Sequence, residues 1–252
     1  LQVHDMFGFG GDFKFGRDWY QHGHGFVMHD FMDAVSYEKR CGDIDLALNC
    51  FFERQGGEDY YNIWNVNADY SYKAHDMYLG FYYNTRAYAH IMPADTWNKI
   101  DNKHDLRIEL GSHGRISNNN DKLTYDVAAV YSKIEDTKRN ESGEFEDAKG
   151  WLGHVAVNYD SHKQLTAKLA YTFGDEDSLS AVSVDNNTRY CMDHETIFDD
   201  IFLTDMVYGR GTNYAFHNLK DLKVQLGYTL KNADKHNFRL AYDNVQNKKD
   251  GE

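Results

Sequence analysis

Arg107 and Glu109 stand two residues apart in a stretch whose other members are Leu106, Ile108 and Leu110. The same placement of a charge between apolar neighbours recurs at Lys14, Asp126, Lys168, Lys223 and Arg239, and Arg86 and Lys231 each have one apolar neighbour. A guanidinium or ammonium group held this way can bind a passing carboxylate or phosphate, and arginine does so through two parallel hydrogen bonds. Rings of such groups select anions in pores. The bland alternative is that these bases pair with Glu109, Asp126 and Asp243 on neighbouring strands and keep a polar surface hydrated. Both readings require the charged side chains to share one face.

The stretches that carry them supply that face. In Leu222-Lys223-Val224-Gln225-Leu226-Gly227-Tyr228-Thr229-Leu230-Lys231 apolar and polar residues alternate, and a β-strand sends successive side chains to opposite sides. The same period of two runs through Ile44–Phe52, Trp64–Tyr72, Met77–Tyr83, Leu123–Tyr131, Trp151–Tyr159, Leu165–Phe173 and Phe238–Tyr242. Strands are expected at 12–20, 34–41, 43–54, 60–73, 75–89, 103–116, 121–136, 149–160, 163–174, 219–231 and 235–247, with a further one near 1–9. Several alternations outlast the usual soluble strand of about 5 to 6 residues. Short links at 73–76, 160–162 and 232–235 contrast with long polar ones at 91–102, 137–148 and 175–218, the asymmetry of a membrane barrel with short turns on one rim and long loops on the other. The aromatic pairs Trp19-Tyr20, Tyr60-Tyr61, Tyr70 with Tyr72, and Tyr82-Tyr83, together with Trp151, fall near strand ends and suit two interfacial girdles.

Composition agrees. One proline in 252 residues fits a chain whose backbone N–H groups are needed in ladders. No apolar run is long enough for a membrane helix, and the chain opens at Leu1 without a charged-then-apolar leader. The formal net charge of −13 argues against nucleic acid as a partner. Much of that charge sits between Asp175 and Asp205, where nine acids meet the single base Arg189 in a segment with no sustained alternation, expected to be a water-facing loop. Its oxygens leave Ca²⁺ as an open alternative, without the spacing of a dedicated site. His22, His24 and His29 lack the companions of a metal centre, and Cys41, Cys50 and Cys191 fit neither a disulfide framework nor a zinc site. No metal or cofactor is expected, and no nucleophile elbow or phosphate loop suggests an enzyme.

Phe15-Gly16-Arg17-Asp18-Trp19-Tyr20-Gln21-His22-Gly23-His24-Gly25, then Asp33-Ala34-Val35-Ser36-Tyr37 and Asp43-Ile44-Asp45-Leu46-Ala47-Leu48, resembles the alginate export family of outer-membrane β-barrel porins. Ala34 stands where that family usually has glycine. His154–Phe173 leading to Gly174-Asp175, and Phe198–Asn218 leading into Leu219–Tyr228, resemble its later segments. The resemblance implies a bacterial outer-membrane channel passing a hydrophilic solute, with an acidic polysaccharide as candidate, and it marks Arg17 as the best single solute contact, against a salt bridge to Asp18 or Asp33. Family members are usually longer and end on an aromatic strand, so the chain is read as part of one barrel domain spanning residues 1–252.

The expected fold is therefore all-β, an antiparallel transmembrane β-barrel of about 12 or more strands embedded in a lipid bilayer. Its expected pore-lining residues are Arg17, Lys14, Arg86, Arg107, Glu109, Asp126, Lys168, Lys223, Lys231 and Arg239. Two rivals remain at this stage. One is a soluble β-sandwich or small barrel that binds a ligand within an apolar core, and the other is a barrel hydrolase with a catalytic constellation at one rim.

Overall fold

A computed structural model describes residues 1–8, 10–23, 27–55, 59–85, 104–117, 122–139, 145–161, 164–175, 219–229 and 237–247. They form a single antiparallel sheet in which each strand pairs with its neighbours in sequence. The strands are β1 (Gln2–His4), β2 (Asp12–Gln21), β3 (His29–Cys41), β4 (Ile44–Gln55), β5 (Asp59–Tyr72), β6 (His75–Asn84), β7 (Asp105–Ser117), β8 (Lys122–Arg139), β9 (Phe145–Asp160), β10 (Leu165–Gly174), β11 (Leu219–Thr229) and β12 (Asn237–Asn247). The sheet is not closed, and β1 and β12 are its edges. No helix among the described residues is long and apolar enough to cross a membrane, which leaves crossing by strands open.

The connections alternate in length. Gly42-Asp43 joins β3 to β4 and Lys73-Ala74 joins β5 to β6, whereas residues 85–104 and 175–218 separate β6 from β7 and β10 from β11 on the opposite rim. Gly42 takes a φ of 66°, open to glycine at little cost, and Lys73 takes 56° in the equivalent turn position.

The register turns the alternation into two surfaces. Phe13, Tyr37, Leu48, Val66, Phe81, Ile108, Tyr131 and Trp151 stand in line across eight strands on one face. On the other face Lys14, Ser36, Asn49, Asn65, Tyr82, Arg107 and Ser132 form the corresponding line. Burial is inverted relative to a water-soluble fold. Leu48, Trp64, Leu110, Leu169 and Leu240 are 49 to 70% exposed, while Arg107, Glu109, Ser132, His154 and Lys223 are at most 5% exposed. Buried charge facing exposed leucine is what a sheet does when hydrocarbon lies outside it.

This geometry overturns the sandwich alternative. Leu165, Leu222 and Leu226 are exposed on the convex face rather than gathered in a sealed core, and Lys223 and Arg107 point to the concave side. On β8 the outward apolar run extends from Leu123 to Tyr131 and on β9 from Trp151 to Tyr159, the length with which a tilted strand crosses a bilayer, about 9 to 11 residues. Beyond it the outward positions turn polar, with Lys133 bonded to Asp147 at 3.1 Å and close to Glu135 at 3.8 Å.

Several boundaries differ from the sequence reading, and residues 86–89 of the strand expected at 75–89 lie outside the described residues. β3 begins at His29, five residues early, because Asp33 pairs outward with Arg17 and breaks the apolar code that would have announced the strand. β8 and β9 extend to Arg139 and back from Phe145, past the apolar band, where the sequence carries no sustained apolar–polar alternation to read. The strand expected near 1–9 is three residues long and runs into a 3₁₀ turn at Met6–Gly8.

Placing a cation in the middle of the convex face tests the assignment. Val127→Arg is expected to destabilise the barrel by about 2–4 kcal/mol, and Lys133→Ala, beyond the band, far less. Urea titration of the protein folded into phosphatidylcholine vesicles measures both.

Candidate functional site: the concave wall

The inner wall is built from alternate residues of every strand from β2 to β11. Arg107 lies opposite Tyr82 and Ser132, and Glu109 lies opposite Gly80 and Val130. Asp126 faces His113 and Ala156. Lys168 sits between Asn158 and Gln225, and Lys223 between Ala170 and Asp243. Lys14 is ion-paired with Glu38 at 2.7 Å. Arg239 stands opposite Gly227, in the same parity as Lys223. Arg86 and Lys231 lie outside the described residues, as do His24 and Cys191 and almost all of the acidic segment 175–205. Asp175 is described at the end of β10, where its carboxylate accepts a hydrogen bond from the Trp151 amide at 3.2 Å.

Arg17 takes the other face. It is level with Asp33 and shares the parity of Phe13, Phe15 and Trp19, and its guanidinium approaches the Asp33 carboxylate at 3.9 Å with both side chains more than half exposed. The salt bridge weighed as its bland reading is the contact the structure contains. The aromatic pairs divide in the same manner. Trp19, Tyr72, Tyr83 and Trp151 follow the outward parity, whereas Tyr20 and Tyr82 turn inward. Tyr20 meets Phe51 edge-on at 4.8 Å and its hydroxyl lies 3.3 Å from Ser36 Oγ.

Two features of the wall have no local sequence signal. One is an amide ladder in which Asn49 Nδ2 donates to Asn65 Oδ1 and Asn65 Nδ2 donates to Asn67 Oδ1, each at 2.7 Å. Asparagines at alternate positions of β4 and β5 were visible in sequence, but only the register brings them together. The other is the return of the chain after β2 into the concavity. His22 packs against β5 and β6, meeting Asp69 at 3.1 Å and the edge of the Tyr78 ring at 5.4 Å between centroids. Val27 and Met28 follow it to full burial. Missing side chains make this possible. A Cβ on Gly80 would lie 2.9 Å from His22 Nδ1 and from the Tyr82 ring, and one on Gly111 would overlap the Tyr78 hydroxyl.

At its centre the concavity is filled, since Ile63, Tyr82, Glu109 and Lys223 are at most 1% exposed. Open space remains in cavities of about 470 Å³ along β2 to β5, about 530 Å³ around Lys168 and Gln225, and about 560 Å³ beside Asp126 and His113. Charged groups in such a setting interact more strongly than in bulk water. No group of three or more His, Cys, Asp or Glu residues placed to hold a metal occurs among the described residues.

No protein-family model matches the chain, and no curated protein matches it in sequence. The alginate export resemblance therefore rests on its short motifs alone. Solved structures do match. OccAB1 of Acinetobacter baumannii aligns over 86% of this chain and 53% of its own, at 9% identity and a TM-score of 0.53. OccK11 (OpdR) and OccK8 (OprE) of Pseudomonas aeruginosa align over the same share of this chain and 55% and 58% of theirs, at 11% and 12% identity and TM-scores of 0.52 and 0.50. These three are outer-membrane porins, and the chain spans a little over half their length. At such identities the likeness establishes a shared barrel fold.

The parity of Arg17 and Lys168 carries a direct expectation. Lys168→Ala shifts the reversal potential of a reconstituted channel toward cation preference, and Arg17→Ala leaves it unchanged. Bilayer recordings in a salt gradient read both.

Proposed function

We propose that the protein is a channel of the bacterial outer membrane through which hydrophilic solutes pass by diffusion, with no enzymatic step. The observation that carries this reading is the inversion of burial, with leucines exposed on the convex face and Arg107, Glu109, Lys168 and Lys223 on the concave one. The fold shared with outer-membrane porins supports the location. Edge strands in hydrocarbon would leave backbone groups without partners, so the barrel is proposed to be completed by further strands at the β1 and β12 edges. Barrel diameter grows with strand number, and the added circumference would draw the filled centre open and bring its charges to water.

The solute class proposed for the wall of β7 to β12 is an anion, with an acidic oligosaccharide as the leading candidate. Arg107, Lys168, Lys223 and Arg239 share its parity, and a carboxylate drawn along them exchanges one charge-assisted contact for the next. Weak, repeated sites favour passage over retention.

Purified protein in a planar bilayer is expected to give stepwise conductance that trigalacturonate reduces from either side. In a variant carrying Lys168→Ala and Lys223→Ala the block is expected to weaken by about tenfold, the loss of one charge-assisted contact of about 1.4 kcal/mol or more. Absence of conductance refutes the channel, and block that survives the double substitution refutes the anion wall.

A further inference from the structure

We infer that the concave surface of β2 to β5 holds a second kind of site, a subsite for an uncharged sugar ring, which rests on the channel reading only for its access from solution. The cavity there, about 470 Å³, falls within the range of small-molecule pockets. It is lined by inward side chains, among them Lys14, Tyr20, Asp45, Asn49, Asn67 and Asp69.

Much of the charge around the cavity is paired within its lining. Lys14 pairs with Glu38 at 2.7 Å, His22 with Asp69 at 3.1 Å and Arg40 with Asp45 at 3.7 Å. Acids also outnumber bases in the lining, with Asp12, Asp18, Glu38, Asp45 and Asp69 against Lys14, Lys39 and Arg40, and His22 at the margin. An anionic solute would meet net repulsion here, the reverse of what Lys168 and Lys223 offer.

The amide ladder leaves two ends. Asn65 is spanned by its neighbours, so Asn49 Oδ1 remains an acceptor and Asn67 Nδ2 a donor. Both residues border the cavity while being only 6 and 8% exposed. Each end opens onto the cavity, and a sugar hydroxyl, which donates and accepts at once, can take the place of water at either. Tyr20 supplies the apolar part. Its ring borders the same cavity, fixed by Phe51 at its edge and Ser36 at its hydroxyl, and an aromatic ring so held can cover the C–H surface of a pyranose. Amide ends, paired charges and one tyrosine together recognise hydroxyl-rich, uncharged chemistry.

Calorimetric titration of the detergent-purified full chain with maltotriose, and separately with trigalacturonate, tests this without requiring conductance. Saturable maltotriose binding is expected, weakened about tenfold by Tyr20→Ala and by Asn67→Leu, with trigalacturonate binding unchanged in both variants. Tyr20 is only partly buried, so Tyr20→Ala carries the test should Asn67→Leu fail to fold. Absence of maltotriose binding, or binding equal in wild type and Tyr20→Ala, overturns the subsite. Conductance without maltotriose binding refutes the subsite and leaves the channel standing, and maltotriose binding without conductance does the opposite.

Discussion

Hydrocarbon offers no partner to a backbone N–H or C=O, and the architecture follows from that one fact. Antiparallel pairing between sequence neighbours satisfies each strand from β3 to β11 on both sides, and β1 covers β2 only near Asp12–Lys14. It also demands an uninterrupted supply of donors, and the chain's single proline, Pro93, falls outside the twelve described strands. Once the ladders are fixed, the side chains have no freedom of direction. Every second residue must be compatible with the outside and every other with the inside, so composition, register and function become one problem.

That coupling explains which parts of the molecule were legible in the sequence. From β4 to β11 the faces were readable because a period of two in Leu, Val, Ile and aromatic residues needs no knowledge of the partner strand. Hence Arg107, Glu109, Asp126, Lys168 and Lys223 occupy the concave face as their neighbours implied. The reading weakened where side chains do not declare a face. Tyrosine suits both, and Tyr20 and Tyr82 lie inward while Tyr83 lies outward. Glycine declares nothing in isolation. The space left by Gly80 and Gly111 has meaning only beside His22 and Tyr78, which strand pairing and curvature bring to them. Cross-strand chemistry such as the Asn49–Asn65–Asn67 ladder is invisible until register is known.

The concave face is not simply a hydrated surface. Arg107, Glu109 and Lys223 lie where water scarcely reaches, and desolvating a charged group costs several kcal/mol unless neighbours compensate. A wall of leucine would be cheaper to bury. Retaining charge there gives the concave face an electrostatic pattern that is acid-rich and amide-lined around Asn49 and Asp69 and mixed around Lys168 and Asp160, within a single sheet.

Arg17 shows how the outer face limits itself. Its row across the sheet runs Arg17, Asp33, Phe52, Asn62 and Thr85, and in it Thr85 Oγ1 donates to the Asn62 carbonyl at 3.2 Å. The next outward row toward the strand centres runs Phe15, Val35, Cys50, Trp64, Tyr83 and Leu106, then reaches Lys133 and Lys149 on β8 and β9. Rows follow the hydrogen bonds, and tilted strands make them climb relative to the barrel axis. The polar positions on β2 to β6 and those on β8 and β9 thus lie at one edge of the apolar band, with Trp19, Tyr83, Tyr131 and Trp151 beside them. An arginine within reach of an aspartate and flanked by aromatic rings belongs at such an edge, where its stem covers apolar surface and its head stays wet. The residue that looked most like a solute contact in the sequence therefore stands on the outward parity beside Asp33, because a Gly-Arg pair specifies flexibility and charge but not the side of the sheet on which the charge will stand.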